Sequence, residues 1–131
     1  MKILHVIDSQ GLYGAERVIL SLMLEQGAMG LETHLCSIGN RNAGEKAIET
    51  EASRRGLRVR KMRMRDGPNI AGGLAITRFA RREGFDLLHS HGYKSNILLG
   101  FIPKRLRGIP LVSTIHGWTS TQRFSKIGLY D

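Results

Sequence analysis

Lys2-Ile3-Leu4-His5-Val6-Ile7-Asp8-Ser9-Gln10-Gly11-Leu12-Tyr13-Gly14-Ala15-Glu16-Arg17 decides the fold. Residues 2–7 form a continuous apolar run rich in Ile and Val, the pattern of a strand buried on both faces. From Ala15 the period changes, and Ala15, Val18, Ile19, Leu22 and Met23 recur at helical spacing with Glu16, Arg17, Glu25 and Gln26 opposite them. A strand therefore passes through a glycine loop directly into a helix.

The same unit repeats down the chain. Further strands are predicted at about 32–38, 57–62, 86–90 and 111–115, and helices at about 43–55, 70–83 and 93–106, with Asp66-Gly67-Pro68 the clearest turn. Alternating strands and helices joined by short loops predict an α/β fold: a Rossmann-like parallel sheet of order 3-2-1-4-5, helices on both faces and right-handed crossovers. Ligands of such sheets bind beyond the carboxyl ends of the strands, near the point where strand order reverses. The places to look are the ends of strands 1, 4 and 5.

Composition agrees with one globular domain over residues 1–131. Hydrophobic residues make up 41% and charged residues 24%, which excludes a disordered chain or a coiled coil. Cys36 is the single cysteine, and no CxxC or HExxH spacing accompanies it, so no metal site is expected. The first apolar run is too short for a signal peptide or a membrane span, which points to the cytoplasm.

The net charge is +9, and its excess is uneven. Arg54, Arg55, Arg58, Arg60, Lys61, Arg63 and Arg65 crowd one segment, followed by Arg78, Arg81 and Arg82 and then by Lys104, Arg105 and Arg107. Such a surface suits phosphates on a diphosphate ligand or an anionic membrane. No aromatic residues interleave the densest cluster, so nucleic acid is not an expected partner. The alternation Leu57-Arg58-Val59-Arg60 fits equally well a charged edge strand that discourages aggregation.

The strand ends hold the candidate chemistry. After strand 1, Gly11, Tyr13, Gly14 and Glu16 lie in a loop whose free N–H groups and following helix can receive an anion, or can simply make a tight turn. Gly11-x-x-Gly14 is not the dinucleotide fingerprint, and Ile38-Gly39-Asn40 supplies no acidic residue after strand 2, so NAD is not expected. The stretch from Gly39 to Lys46 imitates a phosphate loop, but no Ser or Thr follows its lysine, leaving a polar loop that caps the next helix. After strand 4 come His89-Ser90-His91-Gly92-Tyr93-Lys94-Ser95-Asn96, with His89 and His91 on one side of the strand and His89 the deeper of the two. After strand 5 stand His116 and Gly117, where a neutral imidazole can meet a hydroxyl. His5 and His34 lie inside strands and read as structural.

Three of these segments together, Gly11-Leu12-Tyr13-Gly14-Ala15-Glu16-Arg17, Phe85-Asp86-Leu87-Leu88-His89-Ser90-His91-Gly92 and Ile109-Pro110-Leu111-Val112-Ser113-Thr114-Ile115-His116-Gly117, resemble the N-terminal domain of glycosyltransferase family 4. The resemblance runs in order over essentially the whole chain and implies one half of a GT-B fold. It implies retaining transfer of a sugar from a nucleotide-sugar donor to a glycan or lipid-linked acceptor, held largely by this domain. The Gly14 loop would approach the donor phosphates or the acceptor, His91, Lys94 and Asn96 would line the acceptor side, and catalytic His116 would contact the transferred sugar. No cofactor or metal is implied, because enzymes of this type stabilise the leaving diphosphate with basic side chains and helix N-termini. Many acceptors in the family are lipid-linked, which implies a place at the inner face of the cell membrane. Tyr13 stands where the family usually carries the first of two adjacent glycines. The family's donor-binding C-terminal domain has no counterpart before Asp131, so the chain reads as a fragment inactive alone. Two other readings stand beside this one: another GT-B-like enzyme such as a nucleotide-sugar epimerase, and a non-catalytic Rossmann-like module whose basic anion-binding surface meets a membrane or nucleic acid.

Overall fold

The computed structural model describes residues 1–67 and 69–115 in full and residues 126–130 in their backbone. Strands β1 (Lys2–Ile7), β2 (Glu32–Asn40), β3 (Arg58–Met64), β4 (Leu87–His91) and β5 (Leu111–Ile115) alternate with helices α1 (Gly14–Ala28), α2 (Ala47–Arg54), α3 (Ile70–Arg82), α4 (Tyr93–Gly100) and α5 (Lys104–Arg107). The parallel strands lie in the order β3-β2-β1-β4-β5, the Rossmann-like arrangement that the alternating pattern predicts. A sixth strand, β6 (Lys126–Tyr130), which the sequence reading does not contain, pairs antiparallel with β5.

The sheet is sandwiched because both of its faces are apolar. On one face Leu4, Val6, Cys36, Ile38, Leu88 and Leu111 pack against Ile76 and Ala80 of α3 and Leu99 of α4. On the other, Ile7 and Leu35 pack against Ile19, Leu20 and Met23 of α1 and Ile48 and Ala52 of α2. Each such aliphatic side chain taken fully out of water contributes roughly 1.5–3 kcal/mol. β3 closes one end of the sheet and has Arg58, Arg60 and Lys61 exposed, which bears out its reading as a charged edge strand.

Three local expectations need correction. The buried stripe of α1 is Glu16, Ile19, Leu20 and Met23, whereas Val18 is 55% exposed. The helix is turned by the inward Glu16, whose carboxylate accepts hydrogen bonds from the loop before it. The second helix starts at Ala47 rather than near 43, because Lys46 is extended and its backbone N–H donates to Glu49. The single helix expected over 93–106 is two, since Pro103 has no N–H to donate and holds an extended backbone between α4 and α5.

Two glycines position the crevice end of the sheet. Gly92 turns the chain from β4 into α4 at φ 86°, a conformation that side chains other than glycine rarely adopt. Gly73 lets α3 and α4 approach, for a Cβ there would lie 2.7 Å from the carbonyl oxygen of Leu98.

Candidate functional site

Strand order reverses between β1 and β4, so the crevice that such sheets offer to ligands opens at the carboxyl ends of those strands. Asp8, the residue after β1, lies at its base with only 6% of its side chain exposed. Lys46, from the loop before α2, puts Nζ 2.7 Å from Asp8 Oδ1 and 2.8 Å from the Ser9 carbonyl oxygen. Lys94, in the first turn of α4, puts Nζ 3.1 Å from Asp8 Oδ2 and 3.8 Å from Asp66 Oδ1. Two ammonium groups and two carboxylates, Asp8 nearly buried and Asp66 at the rim, make a charge-balanced polar centre suited to hydroxyls. Gly39 makes this possible, because a Cβ there would lie 2.8 Å from Lys46 Cε.

The glycine loop is held from within. Ser9 Oγ donates to Glu16 Oε2 at 2.8 Å, and the Tyr13 backbone N–H donates to Glu16 Oε1 at 3.1 Å. Glu16 therefore shapes the loop, while Tyr13 is 68% exposed. The Tyr13 ring covers Gly11, whose Cβ would lie 2.6 Å from it, and Gly14 has open space. This loop presents Tyr13 and Gly14 outward and keeps Glu16 inside.

Asn96 is half-buried and ties α4 to the sheet: its Oδ1 accepts from Ser90 Oγ at 2.6 Å and its Nδ2 donates to the Thr114 carbonyl oxygen at 3.4 Å. His91 is only 2% exposed and lies on the α1 face of the sheet, where His5 Nδ1 and His91 Nε2 are 3.0 Å apart. His5 Nε2 meets Gln26 Oε1 of α1 at 2.8 Å, and His89 Nε2 meets Thr114 Oγ1 at 2.7 Å. The His89 and His91 rings stack with centroids 4.0 Å apart. Ring nitrogens of the three histidines lie within 4.8 Å of one another, but His5 commits both of its own to His91 and Gln26. The cluster is a hydrogen-bonded stack rather than an assembled metal centre.

Desolvation pushes the His5 imidazole down to about 4, against a hydrogen bond that Nε2 donates to Gln26 Oε1, which acts the other way. The sign follows from linkage. Below the ordinary imidazole value of about 6.5 the unfolded chain takes up a proton that the folded one refuses, so stability falls as pH drops. With His89, His91 and Gln26 the groups facing it, His5 is expected to cost the fold about 3 kcal/mol between pH 6.5 and 4. Urea midpoints measured across that range should fall and should flatten in His5→Gln; a wild-type midpoint that does not move would refute the assignment.

His34 is half-buried near the foot of β2, with Nε2 2.7 Å from Glu32 Oε2. The reading of His5 and His34 as structural agrees with these positions. His116 and Gly117 lie outside the described residues. Asp8, Lys46 and Asp66 are the site residues that sequence reasoning did not single out. Asp8 carried a signal, since it is the first residue past the carboxyl end of β1.

The basic segment is mostly neutralised within the chain. Arg54 and Arg55 pair with Glu51, Arg58 with Glu32, Lys61 with Glu45 and Arg63 with Glu49, and Arg60 stacks its guanidinium 4.8 Å over the Phe79 ring. Hydrogen bonds from Arg54 and Arg55 hold the Glu51 carboxyl down at about 2. On α3, by contrast, Arg78, Arg81 and Arg82 border a notch with Leu74, Thr77 and the exposed Leu106. Lys104 and Arg105 of α5 are exposed nearby. Among the described residues no helix is long and apolar enough to cross a membrane.

Comparison with known proteins places this geometry in context. A family model, Glycosyltransferase Family 4, matches residues 13–130. No curated protein matches the sequence. Among solved structures, MurG of Acinetobacter baumannii superposes with a TM-score of 0.63 at 11% identity, over 84% of this chain and 33% of that one. Glycinamide ribonucleotide transformylase 1 of Symbiobacterium toebii superposes with a TM-score of 0.54 at 18% identity, over 85% of this chain and 50% of that one. At these identities the likeness is one of fold. The chain spans a third to a half of the length of these structures.

Proposed function

The chain belongs to glycosyltransferase family 4, and from that premise we propose that it is the acceptor-binding half of a retaining glycosyltransferase. The observation that carries this reading is the crevice at the strand-order reversal, where Asp8, Lys46 and Lys94 meet beside the open Gly14 loop. A second domain supplies the nucleotide-sugar donor and closes the crevice from above. The acceptor, a glycan or a lipid-linked sugar, lies along α4 with Lys94 at its polar end. During transfer a bond forms between the acceptor oxygen and the anomeric carbon, on the face that the diphosphate leaves, as the bond from that carbon to the diphosphate breaks and the proton of the acceptor hydroxyl passes to the departing diphosphate oxygen. Lys46, at the base of the crevice, favours the charge left on the diphosphate. His116 follows β5 in the chain and hydrogen-bonds the transferred sugar. His91 and Asn96 act as positioning residues that fix the β4–α4 turn. No resident metal or cofactor enters this scheme.

The test is sugar transfer. The 131-residue chain alone should turn over no nucleotide sugar, because a two-walled cleft needs both walls, whereas a longer form that adds a donor-binding domain should do so. Turnover by the 131-residue chain alone would overturn the division of labour. Failure of the longer form with every nucleotide sugar and acceptor offered would overturn the glycosyltransferase reading.

We further propose association with an anionic membrane surface. The cations available for it are Arg78 and Arg81 with Lys104 and Arg105, which flank Leu106, rather than the Arg54–Arg65 segment, most of whose charges face carboxylates of the same chain. Each basic side chain near an anionic surface is worth about 1 kcal/mol, so four together should hold the protein at low salt and release it at high salt. Vesicle flotation should show binding to anionic and not zwitterionic lipid, abolished when these four are changed to Gln. Binding that survives the fourfold change would place the contact elsewhere.

A further inference from the structure

Lys94 reaches Asp8 from the first turn of α4, with Nζ 3.1 Å from Asp8 Oδ2 although 58% of its side chain is exposed. A long exposed side chain keeps to one partner best where its backbone is fixed at the right distance. That turn is moored to β5. The Thr114 carbonyl oxygen accepts from the Gly92 N–H at 2.9 Å and from Asn96 Nδ2 at 3.4 Å, which uses both of its lone pairs. Lys94 stands midway between these two donors, so the turn cannot roll about the helix axis without breaking a bond. Two serines hold the Asn96 amide in one orientation. Ser90 Oγ is 2.6 Å from Asn96 Oδ1 and 2.9 Å from Ser113 Oγ. An amide oxygen only accepts, so the Ser90 proton goes to Asn96 and the proton between the two serines belongs to Ser113. The reverse amide orientation would set Oδ1 against the Thr114 carbonyl oxygen. The bonds therefore run one way, from Ser113 to Ser90 to Asn96 to the Thr114 carbonyl, and return to the strand on which they began. Ser90 is fully buried and Ser113 is 3% exposed. Out of reach of water, such bonds polarise one another and fix direction in a way that aliphatic contacts do not.

We propose, resting on the acceptor reading above, that Ser90 and Ser113 are positioning residues whose one-way ring of hydrogen bonds aims Lys94 at the Asp8 centre and thereby sets the affinity for the acceptor. Neither serine lines the crevice, and each acts through Asn96. Loss of the Ser113 hydroxyl takes away the donor to Ser90, and loss of both hydroxyls frees the Asn96 amide to rotate. The first turn of α4 then settles differently, and the acceptor's hydroxyls lose a fixed ammonium donor. β5 itself keeps its place, because its ladder to β4 remains and His89 Nε2 still meets Thr114 Oγ1 at 2.7 Å. The effect of cutting the ring is thus confined to the turn that carries Lys94.

The first measurement needs no substrate. In NMR spectra of the 131-residue chain, Ser113→Ala should shift the Asn96 side-chain amide and the Lys94 side chain, while Ile19 and Ile48, buried on the opposite face of the sheet, should not move. Ser113→Thr, which returns a hydroxyl, should restore both signals. Ser90→Ala/Ser113→Ala removes the two hydroxyls together and strands neither, so it serves should the single variant fail to fold. Lys94 signals that stay put in a folded variant would overturn the proposal. The second measurement uses a two-domain form. Ser113→Ala should raise the acceptor KM about three- to tenfold, the worth of one intramolecular hydrogen bond, with kcat changed less than about twofold. Added to Lys94→Ala it should raise KM no further, because the serine acts through the lysine. An equal further rise would reduce the serines to a structural role and overturn the proposal. The two levels separate. Normal transfer with an unmoved KM in Ser113→Ala sinks the positioning role and leaves the acceptor reading intact. Shifted Lys94 signals, with no transfer by the wild-type two-domain form to any acceptor, sink the acceptor reading and with it the role in acceptor affinity.

Discussion

Replacing Arg63 by alanine is expected to cost the fold about 3–5 kcal/mol, the range for stripping the partner from a buried charge. Glu49 is 1% exposed, and its Oε2 accepts from Ser37 Oγ at 2.6 Å and from Arg63 Nη2 at 2.8 Å. Its Oε1 accepts from the Lys46 N–H at 2.9 Å. Burial pushes the Glu49 carboxyl up, but the hydrogen bonds from Ser37, Lys46 and Arg63, with the guanidinium charge, hold it below the ordinary carboxylate range. Arg63 does more than pair with one carboxylate: it also donates to the carbonyl oxygens of Ser37, Ala43 and Gly44, fastening the loop between β2 and α2. Without it a buried carboxylate loses its cation, and the carbonyls of Ser37 in β2 and of Ala43 and Gly44 in the loop lose a donor. Arg63→Ala/Glu49→Gln should be less destabilised than the two single losses added together, because the variants share one interaction. Urea unfolding of the four proteins measures this. A cost under about 1 kcal/mol for Arg63→Ala would mean that water replaces the guanidinium freely. The loss should reach the crevice as well, since the loop that Arg63 fastens carries Lys46 to Asp8.

This clamp also explains what the sequence could and could not reveal. The apolar run 2–7 and the shift to helical spacing after Gly14 are local patterns, and they placed β1 and α1 nearly to the residue. Strand order followed from alternation and handedness, which need no contact information. Pro103 was visible as a helix breaker, yet the apolar spacing around it read as one helix. β6 pairs with the edge of β5 through a five-residue run containing Gly128, too short to carry a period of its own. At the site, Lys94 was legible because it follows a strand end. Asp8 read as the stop of an apolar run and Lys46 as part of an incomplete phosphate loop, for their contact joins loops 38 residues apart. Arg54 to Arg65 read as free charge for the same reason: Glu32 and Glu45, which face Arg58 and Lys61, lie 26 and 16 residues away. Periodicity reports which face is buried; it does not report which opposite charge a folded neighbour supplies.

In a two-domain form, His116→Ala is expected to lower kcat about a hundredfold while changing the acceptor KM little, the size of effect seen when a hydrogen bond made chiefly in a transition state is removed. β5 is the second neighbour of β1 across β4, which at the usual spacing separates their ends by about 10 Å, roughly the span of one sugar ring. His116 comes directly after β5, and Asp8 and the Gly14 loop come after β1, so the reacting ring would lie between them. An imidazole bonded to a hydroxyl of that ring would hold the anomeric carbon against the acceptor oxygen, and the bond would matter most as positive charge grows at that carbon. On the proposed reading, the acceptor binds instead on the α4 side of the crevice. Lys94→Ala, which removes one of the two cations from Asp8, should therefore raise the acceptor KM with less change in kcat. Steady-state kinetics on both variants separates the roles. A kcat within about threefold of wild type for a well-folded His116→Ala protein would remove His116 from the reaction, and Lys94→Ala changing kcat with acceptor KM fixed would exchange the parts assigned to the two ends of the crevice.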